Sequence, residues 1–155
     1  MKHIVLFVLA LAVFGTDGAF AQQSFGYGFI GGTFGGGRGG VGGAFRYGIG
    51  GEGRVAPLVT MGGEIGGIAK NGNGVIGSGN ISFHLPIELR RLDPFLTAGF
   101  SIGHKNDNTG LWANVGGGVH YWMLPRIGLR AELRGYPGGY DLSGFGEFRF
   151  GVVFR

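Results

Sequence analysis

From Phe25 to Phe154, apolar positions alternate with polar or glycine positions at period two, in segments of about ten residues divided by turn-rich stretches. The pattern predicts eight strands. They fall near Phe25–Phe34, Gly43–Gly51, Val55–Ile68, Val75–Leu85, Pro94–His104, Leu111–Met123, Ile127–Gly135 and Phe145–Phe154. The connectors Gly35–Gly40, Lys70–Gly74, Lys105–Gly110, Leu124–Arg126 and Pro137–Gly139 are rich in Gly, Asn, Asp and Pro, the residues that turn backbones require. No shift in composition marks a second domain.

The two faces of these strands differ sharply. In the seventh, Ile127, Leu129, Ala131 and Leu133 lie opposite Gly128, Arg130, Glu132 and Arg134. In the eighth, Phe148, Phe150, Val152 and Phe154 lie opposite Glu147, Arg149 and Gly151. The sixth sets Leu111, Ala113, Val115, Val119 and Tyr121 against Asn114, Gly116, Gly118 and His120. The fourth sets Val75, Ile81, Phe83 and Leu85 against Ser78, Asn80, Ser82 and His84, and the second sets Phe45, Tyr47 and Ile49 against Arg46 and Gly48. A wet face of a soluble sheet is usually dense in Lys and Glu. Here Lys70 and Lys105 are the only lysines after Ala21, and both fall in predicted loops. A membrane barrel inverts the arrangement, with apolar side chains toward lipid and polar ones inside. Strands of about ten residues cross a bilayer at a tilt, and closure leaves no backbone edge in lipid.

The expected fold class is therefore all-β: an eight-stranded antiparallel up-and-down transmembrane β-barrel after a cleaved signal peptide. The competing reading is a soluble periplasmic or secreted lipocalin-like barrel that binds a small apolar ligand inside. The direction of Arg130, Glu132, Glu147 and Arg149 separates the two.

Glycine supplies 38 of the 155 residues, charged residues only 14%, and cysteine none. The 14 Phe weigh against disorder. Without Cys there is neither a disulfide framework nor a thiolate-held metal. Each interior glycine costs a helix about 1 kcal/mol relative to Ala, which argues against a bundle. In a narrow eight-stranded barrel, glycine opposite a large inward group makes room for it. The net charge of +4 has no cluster behind it beyond Arg90-Arg91, so no nucleic-acid partner is expected. Aromatics are expected to form girdles at the two interfaces. One would hold Phe25, Tyr27, Phe95, Tyr121, Trp122 and Phe154; the other would hold Phe34, Trp112, Tyr136, Tyr140 and Phe145.

The first 21 residues read as a secretory signal peptide. Lys2 precedes the apolar run Ile4–Phe14, and Ala19-Phe20-Ala21 offers a small-residue cleavage site. Residues 22–155 are then the barrel domain, in a protein exported through the periplasm.

The sequence resembles the small eight-stranded outer-membrane barrels of Gram-negative bacteria, the OmpA-like and OmpX-like "outer membrane protein beta-barrel" group. The resemblance is carried by Val115–Met123 (VGGGVHYWM), Pro125–Arg134 (PRIGLRAELR) and Glu147–Arg155 (EFRFGVVFR). It implies location in the bacterial outer membrane, contact with outer-membrane lipid, and recognition of the C-terminal strand by the insertion machinery. That strand usually ends on an aromatic residue in the family; here Phe154 is penultimate, before Arg155.

Seven inward charges are expected to fill the lumen as an ion-pair network: Arg46, Glu64, Arg130, Glu132, Arg134, Glu147 and Arg149. Unpaired charge in a closed interior is costly, so these groups must pair. His84 and His120 fall on inward faces of strands that do not adjoin in a meander, and are read as lumen histidines rather than metal ligands. Ser82 and His84 share a face, as a hydrolase pair would, but no orienting acid can be placed beside them. No catalytic residue, cofactor or metal is expected. A non-enzymatic structural or envelope role follows.

Overall fold

The computed structural model describes residues 24–35, 42–70, 73–87, 91–105, 108–137 and 144–155. Residues 1–21, expected to be a signal peptide, and Tyr140 lie outside them. Eight strands follow one another in chain order: β1 Phe25–Gly35, β2 Phe45–Ala56, β3 Val59–Ala69, β4 Asn73–His84, β5 Leu92–Lys105, β6 Asn108–Trp122, β7 Ile127–Tyr136 and β8 Phe145–Phe154. Each pairs antiparallel with its neighbours, and β8 closes on β1 from Gly26↔Phe154 to Gly35↔Phe145. The result is a closed up-and-down barrel. The end that holds Phe25, Phe154 and the β2–β3, β4–β5 and β6–β7 connections is called the terminal end below.

Three boundaries differ from those read in the sequence in a way that matters. β2 runs on to Ala56, and β3 begins only at Val59. Gly50, Gly51 and Gly53 suggest a break after Gly51, but they pair in register with β3 through Glu64, Gly63 and Met61. β5 begins at Leu92 rather than Pro94. Proline lacks an N–H, yet a strand accommodates it near its first residue.

Inward glycines stand across from large inward groups in β1. Tyr27 pairs with Gly50 and Phe29 with Gly48. A Cβ on Gly48 would lie 2.7 Å from the Phe29 ring, and one on Gly50 would lie 2.5 Å from the ring of Tyr27. The aromatic side chains therefore occupy the space that these glycines leave.

The outer wall is apolar. Ile49, Phe100 and Leu111 are each about two-thirds exposed, and Ile30, Leu96, Val115, Leu133 and Phe150 are also open to the surroundings. A soluble monomer does not leave a continuous apolar belt of this kind in water. Of the expected girdle residues, Phe34, Tyr121 and Phe154 do face outward. Tyr27, Phe95 and Tyr136 do not: they are buried in the interior, where their hydroxyls or rings serve the charged groups. Strand-end position alone does not set direction; parity does, and these three share parity with the inward set.

The outward direction of Phe150 makes a simple prediction. Phe150→Arg places a charge near mid-wall and should lower stability in lipid by about 2–4 kcal/mol. Equilibrium unfolding of the protein in vesicles measures it, and an unchanged unfolding curve would count against lipid at this wall.

Candidate functional site: the charged lumen

Charges fill the middle of the barrel. Among the described residues, Arg46, Arg130, Arg134, Arg149, Glu52, Glu64, Glu132 and Glu147 are all buried. Alternation along β7 projects Arg130, Glu132 and Arg134 inward in one row, and β8 adds Glu147 and Arg149. Glu132 is opposite Arg149, and Arg134 opposite Glu147, in the β7–β8 register.

Glu64 on β3 reaches across the lumen to this wall. Arg149 Nη1 donates to both its oxygens at 2.8 Å, Arg134 Nη1 donates at 3.0 Å, and the Tyr27 hydroxyl donates at 3.1 Å. Glu132 accepts from Arg130 Nη2 at 3.0 Å and from Arg134 Nε at 2.7 Å. Glu147 accepts from Arg46 Nε at 3.0 Å, Arg149 Nη2 at 2.9 Å and the Tyr136 hydroxyl at 2.8 Å. Two guanidinium groups also lie over rings: Arg130 over Tyr27 and Phe95, at 4.1 and 4.4 Å, and Arg149 over Phe29 at 4.3 Å. All seven sequence-identified charges thus sit inside, joined in one network.

The network includes an eighth charge that the sequence reading did not identify. Glu52, on the added length of β2, accepts from Arg130 Nη1 at 3.1 Å and from the Thr60 hydroxyl at 2.5 Å. A signal for it existed. The seven charges comprise four Arg against three Glu, and a closed interior calls for a balancing acid. Glu52 shares parity with Arg46, so a β2 extended past Gly51 would have pointed it inward.

The lumen wall formed by β4, β5 and β6 carries small neutral polar groups instead. Ser78 bonds Ser101 at 2.8 Å, Asn114 donates to Ser101 at 2.9 Å, and Ser82 donates to Thr97 at 3.2 Å. At the terminal end of that wall, His84, Asp93 and His120 meet. His84 Nδ1 lies 2.8 Å from Asp93 Oδ1, and His120 Nδ1 lies 3.3 Å from Oδ2. The other face of each ring is also engaged: His84 Nε2 contacts Thr60 Oγ1 at 3.2 Å, and His120 Nε2 contacts Arg130 Nη1 at 3.0 Å. The two histidine strands do not adjoin; β5 lies between them and supplies the acid that joins the rings. Starting the fifth strand at Pro94 left Asp93 outside it.

No protein-family model matches the sequence, and no curated protein matches it. Solved structures do. The N-terminal β-barrel domain of Pseudomonas aeruginosa OprF is similar over 86% of this chain and 98% of that one, at 19% identity and a TM-score of 0.61. Neisserial surface protein A covers 84% of this chain and 94% of its own, at 16% identity and a TM-score of 0.61. Ail of Yersinia pestis covers 84% and 95%, at 11% identity and a TM-score of 0.54.

This chain has the fold of the small eight-stranded outer-membrane β-barrels.

An interior of this kind does not suit the lipocalin-like alternative. Such a barrel needs an apolar cavity, and here Arg130, Glu132, Glu147 and Arg149 occupy the centre while the apolar residues face out. Two grooves of the described surface lie on the outer wall, one beside Ile30, Tyr47 and Phe150, the other beside Ile81, Phe83 and Phe100.

Asp93, His84 and Thr60 line up in the order acid, base, hydroxyl. The hydroxyl is turned away from the base in this structure. Thr60 Oγ1 directs its proton to Glu52 at 2.5 Å, so the histidine does not receive it. Thr60 is also buried, with about 1% exposure. Ser82, the hydroxyl noted in the sequence, bonds Thr97.

Proposed function

We propose that this chain is a non-enzymatic integral protein of the bacterial outer membrane, with a structural role in the envelope. The observation that carries the reading is the inversion of polarity: an apolar belt outside and a closed ion-pair network inside. That arrangement suits lipid around the wall and an interior filled by side chains rather than by substrate. The eight described buried charges balance, four against four, which favours a plug over an ion path. Outer-membrane lipid is the partner of the outer wall. The insertion machinery is the partner of β8, whose outward face presents Phe148, Phe150, Val152 and Phe154. Residues 1–21 act as the export signal, and the mature chain starts at Gln22.

Heat-modified gel mobility tests the reading. Expressed in a Gram-negative host, the protein should fractionate with outer membranes, begin at Gln22, and migrate differently in SDS before and after boiling. Recovery in the soluble periplasmic fraction, with one mobility at both temperatures, would refute it.

A further inference from the structure

We propose that His84, Asp93 and His120 form a binding site for a divalent transition-metal ion at the terminal mouth of the lumen. A nitrogen from each ring and a carboxylate oxygen lie within 4.8 Å of one another. His84 Nδ1 lies 2.8 Å from Asp93 Oδ1 and His120 Nδ1 3.3 Å from Oδ2, so the carboxylate bridges the rings with its two oxygens; a zinc ion with bonds of about 2.0–2.1 Å draws the three groups in to edges of roughly 3.3 Å. Two imidazoles and one carboxylate suit Zn²⁺, Ni²⁺ or Cu²⁺, whereas Mg²⁺ and Ca²⁺ prefer oxygen alone.

The strands fix the ligands. Asp93 is opposite His120 in the β5–β6 register, and His84 is opposite Phe95, the next inward residue of β5. Aromatic rings hold both imidazoles. Phe95 stacks on His120 at 4.7 Å, and Phe25 meets His120 and His84 edge-on at 5.1 and 6.1 Å. Both histidines are buried, but the Asp93 side chain keeps 30% exposure. An ion reaches the cluster from the mouth through that face, which leaves a fourth position for water.

Of the two rings, His84 has the outer partner that a metal site of ordinary chemistry uses. A ligating histidine fixes its free ring N–H on a hydrogen-bond acceptor. His84 Nε2 has Thr60 Oγ1 for this, since the Thr60 proton goes to Glu52. Both nitrogens of His84 therefore face oxygen partners: the ion takes the Nδ1 edge, and the Nε2 N–H donates to Thr60 Oγ1. On His120, Nε2 accepts from Arg130, which places the ring proton on Nδ1. An ion on Nδ1 puts the ring proton on Nε2, so Arg130 Nη1 withdraws to Glu52 Oε1, already 3.1 Å away, and that proton faces no acceptor of the kind Thr60 gives His84. Strand order alone keeps the two histidines apart; Asp93, on the strand between them, supplies the link.

Zinc titration of the detergent-solubilised barrel, prepared without a histidine tag and stripped with chelator, tests the site. One Zn²⁺ per barrel should bind in competition with a chromogenic chelator. Zn²⁺ should also raise the temperature of the mobility shift, and excess Mg²⁺ should do neither. Asp93→Asn, His84→Gln and His120→Gln should each weaken binding by about tenfold or more, while His104→Gln, at the opposite end, should bind as the unaltered barrel does. X-ray absorption of the zinc-loaded, unaltered barrel should show nitrogen and oxygen neighbours with imidazole scattering, a readout independent of whether the variants fold. Absence of one-to-one binding, binding that survives Asp93→Asn in a folded barrel, or a zinc spectrum without imidazole would each overturn the proposal.

Discussion

Glu64→Ala is expected to lower the free energy of unfolding by about 3–5 kcal/mol, the cost of breaking a buried charge pair from one side. Glu64 is the only described acid on β3 that meets the β7–β8 wall, and it holds Arg134, Arg149 and Tyr27 together. Its removal leaves four buried Arg against three Glu, with Arg149 retaining Glu147 and Arg134 retaining Glu132. The residual positive charge sits where water enters poorly. Glu64→Met combined with Arg149→Met should therefore be less damaging than Glu64→Ala, because it restores neutrality. Urea unfolding in micelles, followed by the fluorescence of Trp112 and Trp122, provides the comparison. A single variant within about 1 kcal/mol of the unaltered protein, or a double variant as weak as the sum of its parts, would mean that the lumen charges are not coupled.

Truncation before Phe148 is expected to abolish assembly. It removes most of β8, which pairs along its length with both β1 and β7. Two open edges would face lipid with unpaired N–H and C=O groups, and no bilayer-spanning sheet tolerates that. The cut also removes Arg149, and with it the strongest contacts of Glu64. Deleting Arg155 alone should leave assembly intact. Its guanidinium lies 4.2 Å over Trp122 and donates to the Pro125 carbonyl at 2.9 Å, so it rests on the rim outside the ladder. Both variants are read by protease-resistant, heat-modifiable protein in outer-membrane fractions. A Phe148 truncation that still yields this form would show that β8 does not close the barrel.

The sequence made β7 and β8 plain because their inward positions are charged and their outward positions are Ile, Leu, Phe and Val, which leaves parity unambiguous. Glycine blurred the rest. Through Gly50-Gly51-Glu52-Gly53-Arg54, glycine occupies either face of β2, so period two loses its contrast, and Glu52 disappeared with it. Asp93 was lost for a different reason: Pro94 looks like a strand start, and one residue of boundary error removes the acid that joins His84 to His120. The inward turn of Tyr27, Phe95 and Tyr136 was hidden because an aromatic near a strand end fits an interface as well as an interior. Only the partners across the barrel, such as Glu64 for Tyr27 and Arg130 for Phe95, settle their direction, and sequence spacing does not display them.

The seat of Arg130 over both Tyr27 and Phe95 bears on which substitutions the barrel would tolerate. A guanidinium is a rigid plate that bonds through its edge and can lie against aromatic rings. Arg130 uses both properties at once, giving its edge to Glu52, Glu132 and His120. A lysine there would present a compact ammonium on a flexible stem, able to reach one carboxylate but with no plane to lay on either ring. Exchanging Arg for Lys in this lumen would keep the formal charge and lose the shape, so the absence of lysine from these inward positions is a geometric requirement as much as an electrostatic one.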